Sequence, residues 1–211
     1  MNEFQINKGI QFLQQSNLTQ TIKLAYSMVE EVMQSNPLLS IQNNHHCSGY
    51  LRYILVNNVL YHAYKSGRLN GFQCRWEETS SSASPESNSL KALVMEIEEF
   101  SFEPHHLRNP KAKPRRCIRR DDYCMQNQRL LSFEEPEKES KYHFVLVHGN
   151  KELEFLNLAL IDDMEKKTLT YSYSSPSLLI GEIRSDVVDV EDFKPVLKDT
   201  VKQLRDLEEK A

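Results

Sequence analysis

The sequence predicts an α+β fold, with helices at both ends and a mainly antiparallel sheet of about five strands between them. Three observations predict it. Apolar residues recur at helical spacing through the first seventy residues, the period drops to two after Gly71, and helical spacing returns near residue 191. The 211 residues are read as one domain: a helical part at about 1–70, a sheet part at about 71–175 and a C-terminal helix at about 191–210.

The first clear helix carries Leu18, Ile22, Ala25, Val29, Val32 and Met33 on one stripe, with Asn17 or Thr19 placed to cap it. Pro37 stops it, because proline disfavours α geometry in the residue before it. A second helix is expected from an N-cap at Ser48, with Leu51, Leu55, Val59 and Ala63 inward and Gly67 as a left-handed terminator.

Phe72, Cys74 and Trp76 alternate with polar residues, as a half-buried strand does. The serine-rich stretch 80–89 joins that strand to a second, Leu93–Phe102, whose alternation shifts at Glu98-Glu99 as a bulge would shift it. His105–Arg129 reads as an irregular basic segment. Tyr142–His148, Leu153–Ile161 and Thr168–Tyr173 are three further strands, and their short connections predict an antiparallel meander. At the end, Asp192 caps a stripe of Phe193, Leu197, Leu204 and Leu207.

Composition removes several classes. Hydrophobic residues make up 39% of the chain, enough for a core. No apolar run approaches the roughly 20 residues of a membrane span, and the first residues lack the basic-then-apolar order of a secretory signal. Cys47, Cys74, Cys117 and Cys124 are too sparse for a disulfide framework, so a cytoplasmic protein with reduced thiols is expected. There is no Gly-x-Ser-x-Gly elbow, no phosphate-cradling glycine loop and no dinucleotide fingerprint, so no cofactor is expected. The histidines and cysteines, His45-His46-Cys47 and Cys117…Cys124 among them, do not match the paired spacing of structural zinc sites.

The basic segment stands out. From His105 to Arg129 eight cations face only Asp121 and Asp122, a local charge of +6 in a chain whose net charge is −4. Attraction to a polyanion follows the local field, and arginine's planar fork holds phosphate oxygens or a guanine edge. Arg115, Arg116, Arg119 and Arg120 are the expected phosphate contacts, with Arg108 and Gln128 as positioning or base-reading residues. The same charges could instead pair with acidic neighbours such as Glu134, Glu135, Glu137 and Glu139, or with an acidic protein partner. No helix-turn-helix, zinc-finger or RNA-recognition signature accompanies the charge.

Around His106-Leu107-Arg108-Asn109-Pro110, the arginines that follow, Asn127-Gln128 and Leu130-Leu131-Ser132-Phe133, the chain resembles a group of uncharacterised bacterial and prophage-borne proteins. In that group a strand leads to a His-x-Arg-x-Pro-like loop, an Asn/Gln element and a tyrosine-rich meander. The resemblance covers roughly residues 48–175. It implies a bacterial or mobile-element setting and no particular reaction.

The expected function is non-enzymatic binding of a polyanion, DNA or RNA, through the arginine-rich segment. Two alternatives stand beside it. One is a regulatory module that docks an acidic protein through the basic segment or the C-terminal helix. The other is a divalent-metal nuclease built on Glu96, Glu98 and His106, although the lysine that usually follows the second carboxylate is missing.

Overall fold

The computed structural model describes residues 3–15, 17–36, 39, 45–78, 91–110, 118–131, 141–150, 152–161 and 168–172. In chain order its elements are helices α1 (Glu3–Gln15), α2 (Leu18–Ser35) and α3 (His45–Lys65), strands β1 (Gln73–Glu78), β2 (Lys91–Ile97) and β3 (Phe100–Leu107), helix α4 (Ile118–Leu131), and strands β4 (Tyr142–Gly149), β5 (Phe155–Ile161) and β6 (Thr168–Ser172). The α+β expectation holds. The expected C-terminal helix lies outside the described residues.

The chain forms two compact units, residues 1–15 with 71–175, and residues 16–70 with 176–211. Helix α1 belongs with the sheet rather than with the two helices that follow it. In the helical unit, α2 and α3 pack through Leu18, Ile22, Ala25, Val29, Leu51, Leu55, Val59 and Ala63, all buried. Arg52 lies over the Tyr26 ring, 5.7 Å from its centroid. Asn17 occupies the N-cap position of α2 without a side-chain capping bond, and Thr21 Oγ donates to its carbonyl at 2.8 Å. Helix α3 starts at His45, three residues ahead of the expected Ser48 cap. It ends as expected at Gly67, whose φ of 73° lets the Arg68 N–H reach back to the Ala63 carbonyl at 2.8 Å.

In the other unit the described strands form one six-stranded sheet in the order β1-β2-β3-β4-β5-β6. Every neighbouring pair is antiparallel except β3 and β4, which run parallel from Phe100 beside Tyr142 to Leu107 beside Gly149. Parallel neighbours need a long crossover, and α4 supplies it. Two expectations are corrected here. The segment taken as irregular contains the end of β3 and a fourteen-residue helix. The stretch 93–102 is two strands rather than one bulged strand. Glu98 adopts φ 47° and folds β2 back onto β3 in a tight turn. Lys8 of α1 pins that turn, with Nζ 3.0 Å from Glu98 and 2.8 Å from Glu99.

Strand alternation gives the sheet two different faces. One is aromatic and apolar: Phe72, Phe100, Phe102 and Phe144 are buried, the Phe102 and Phe144 rings stack at 5.8 Å, and Phe12 of α1 meets Phe100 at 6.0 Å. Each such ring contributes about 1.5–3 kcal/mol through burial. The opposite face lies under α4 and carries buried polar groups beside an apolar cluster of Val145, Val147, Phe155 and Ala159. Among the described residues, no helix is long and apolar enough to cross a membrane.

The turn yields a test. A glutamate in left-handed conformation is strained by about 1 kcal/mol where glycine is not, and its ion pair with Lys8 is exposed. Glu98→Gly should raise stability to urea by about 0.5–1 kcal/mol, read as a higher midpoint at unchanged slope.

Candidate nucleic-acid interface

Ser101, Glu103 and His105 alternate with Phe100, Phe102 and Pro104 along β3, so they project toward α4. His143 of β4 pairs with Ser101 in register and joins them. Ser101, Glu103 and His143 are 2%, 1% and 0% exposed, an unusual depth for polar groups. Each is partnered. Arg120 of α4, itself buried, donates from Nη2 to Glu103 Oε1 at 2.5 Å and from Nε to Oε2 at 3.3 Å. Its Nη2 also lies 3.0 Å from His105 Nδ1. A guanidinium has only donors, so Nδ1 accepts and the His105 proton sits on Nε2.

One turn further along α4, the Tyr123 ring stacks on His143 with centroids 3.7 Å apart and planes 6° from parallel. Asn127 then brackets the His143 backbone: Nδ2 donates to its carbonyl and Oδ1 accepts from its N–H, both at 2.8 Å. Arg120, Tyr123 and Asn127 follow helical spacing, so the inner face of α4 is a polar stripe. That is why no apolar period announced this helix.

The layer continues to the outer strands. Glu96 accepts from Arg75 Nη2 at 2.8 Å and from Lys141 at 2.5 Å. Burial opposes its charge, but the hydrogen bonds from Lys141 and Arg75 outweigh burial and hold its carboxyl below the usual range. Arg75 also pairs with Glu77, and Glu77 accepts from the Tyr123 hydroxyl at 2.7 Å. Burial first, then that bond to Glu77, pushes the Tyr123 phenol up.

Ser101, His143 and Glu103 follow the order of a nucleophilic relay, with Ser101 Oγ 2.8 Å from His143 Nδ1. Two facts argue against that chemistry. His143 Nε2 is 3.7 Å from Glu103, beyond hydrogen-bond length, and Ser101 is buried. The trio anchors α4.

At the carboxyl ends of the parallel pair, His106 and His148 sit side by side on the aromatic face, with rings 5.6 Å apart. Gly149 lies opposite Leu107, where a Cβ would collide with the Leu107 carbonyl and the Phe155 ring. Asn150 then turns the chain at φ 73°, and its N–H donates to the Leu107 carbonyl at 3.3 Å. Among the described residues, no group of three or more metal-ligating side chains is present.

The expected binding residues separate on this framework. Arg108 is exposed just past the end of β3, and Gln128 is exposed on α4. Arg119 lies in the first turn of α4, and Arg115 and Arg116 lie outside the described residues. Arg120 does not belong with them: its guanidinium is committed to Glu103 beneath the helix. The nuclease trio is not assembled either. Glu96 sits under α4 between two cations, Glu98 is in the turn at the opposite end of β3 from His106, and His106 projects from the other face of the sheet. The residues overlooked in the sequence are Ser101 and His143; for Ser101 the strict polar-apolar alternation of 100–105 was a signal. No protein-family model, curated protein or solved structure matches the chain.

Two outcomes follow from the buried layer. Removing one partner of a buried ion pair strands the other charge, at about 3–5 kcal/mol. Arg120→Met and Glu103→Leu should each show that loss by urea unfolding, while the double variant recovers at least about 2 kcal/mol of their sum. The second outcome concerns acid. Glu96 titrates lower in the folded than in the unfolded chain, so its stabilisation is complete above about pH 4.3 and disappears as pH falls through the lower folded value. Glu96→Gln should flatten the acid limb of the stability profile.

Proposed function

We propose that the chain binds nucleic acid through residues 108–119 without catalysing a reaction. The observation that carries this reading is a separation of charge. Arg120 is withdrawn into the protein to neutralise Glu103, whereas residues 108–119 hold six cations and no carboxylate. Such a segment gives an attractive field to a polyanion even though the chain as a whole is negative. It leaves β3 at the carboxyl end of the parallel pair. Arg108 stands exposed at that exit. Arg115, Arg116 and Arg119 supply phosphate contacts, with Arg108 and Gln128 flanking them.

Fluorescence anisotropy with labelled duplex and single-stranded oligonucleotides over a salt series tests this. Affinity should fall linearly in log–log form, with a slope near −0.9 per phosphate neutralised on duplex DNA. Arg115→Glu and Arg116→Glu should each weaken binding and lower the slope by about one. Absence of binding at low salt, or unchanged binding by the charge-reversed variants, rejects the proposal.

A further inference from the structure

The contact between Arg120 and His105 places a condition on the histidine that the rest of the polar layer does not share. Arg120 Nη2 carries two protons; one is donated to Glu103 Oε1 at 2.5 Å and the other to His105 Nδ1 at 3.0 Å. The second bond exists only while Nδ1 keeps its lone pair, because a guanidinium offers donors alone. A proton added to Nδ1 would set N–H against N–H and one cation against another. Glu103 is buried and so is Arg120, so little water is present to screen that repulsion. His105 itself is half-buried and within reach of solvent protons.

The neighbouring charges come from every element packed on this side of the sheet. Glu103 of β3 is neutralised by Arg120, and Arg108 follows just past the strand. From β4, His143 holds Nε2 3.7 Å from Glu103 and Nδ1 2.8 Å from Ser101 Oγ. Helix α4 brings Asp121 beside Arg120, then Tyr123 and Cys124. On β5 the residue two strands across from His105, beyond Val147, is Asn157, which does not titrate. Glu96, Arg75 and Glu77 form their own network on β2 and β1. Of these groups the histidines change charge between about pH 5 and 8. The Ser101 hydroxyl can accept as well as donate, so protonated His143 keeps its bond. His105 cannot keep its own.

We propose that His105 and Arg120 form an acid-sensitive latch: protonation of His105 breaks its bond to Arg120 and loosens the first turn of α4 from β3. The latch is closed while His105 is neutral, above the roughly pH 6.5 at which an ordinary histidine titrates. Its contribution is lost as pH falls and the ring takes up its proton. The Tyr123–His143 stack and the Asn127 bonds lie further along the helix, so loosening is graded from the amino end.

Backbone hydrogen exchange of the full chain tests this without any ligand. Peptides covering α4 are read by mass spectrometry at about pH 7.5 and about pH 5.5, with the intrinsic pH dependence of exchange removed. Protection in the first half of α4 should fall by about tenfold at the lower value, the factor for one pH unit below the histidine reference, while the Asn127 end and β4 change little. His105→Asn keeps an acceptor oxygen near the position of Nδ1 and does not titrate, so its protection should be the same at both values. Full protection of the wild-type helix at the lower pH overturns the latch whatever the variant does. An equal fall in His105→Asn, or a fall spread evenly over α4, β4 and β5, overturns it as well.

Discussion

The buried pair of Glu103 and Arg120 is the constraint on which the sheet unit depends. A carboxylate and a guanidinium withdrawn from water together cost several kcal/mol in desolvation, and only close, multiply bonded geometry offsets it. Here the carboxylate takes both a 2.5 Å and a 3.3 Å bond from one guanidinium, and that guanidinium also reaches His105. An apolar helix face could slide or rotate on a sheet at little cost. A face held by charges and fixed hydrogen-bond angles cannot. The polar layer thus trades some stability for a single orientation of α4.

That trade explains the asymmetry of the sheet. The aromatic face, with its Phe12, Phe100, Phe102 and Phe144 contacts, supplies cohesion. The face under α4 supplies position. Between the end of β3 and the start of α4 the chain must cross over to make β4 parallel, and the cations of residues 108–119 are concentrated in this connection.

Where physical chemistry is local, the sequence was readable. Alternation around Cys74-Arg75-Trp76 reports a half-buried strand, the run Phe144–Val147 a strand buried on both faces, and the stripe of Leu51, Leu55, Val59 and Ala63 a packed helix, and each matches its element. Gly67 marks a helix end because few other residues tolerate its backbone angle. The β2–β3 turn escaped notice because Glu98 occupies a conformation that asparagine or glycine would have signalled, and Lys8, ninety residues away, holds it there. Helix α4 escaped because its inner stripe is Arg120, Tyr123 and Asn127. The inward placement of Arg120 was equally hidden: in the sequence it is one arginine among several, and the distant Glu103 draws it in.

The most direct test of the account is where nucleic acid touches the protein. Ultraviolet crosslinking of the full chain to duplex DNA, followed by mass spectrometry of the conjugated peptides, locates that surface without presupposing which side chain matters. Crosslinks confined to residues 108–119 and Gln128 are the predicted result. Crosslinks concentrated on α2, α3 or the β1 edge, with none in the basic connection, would contradict it.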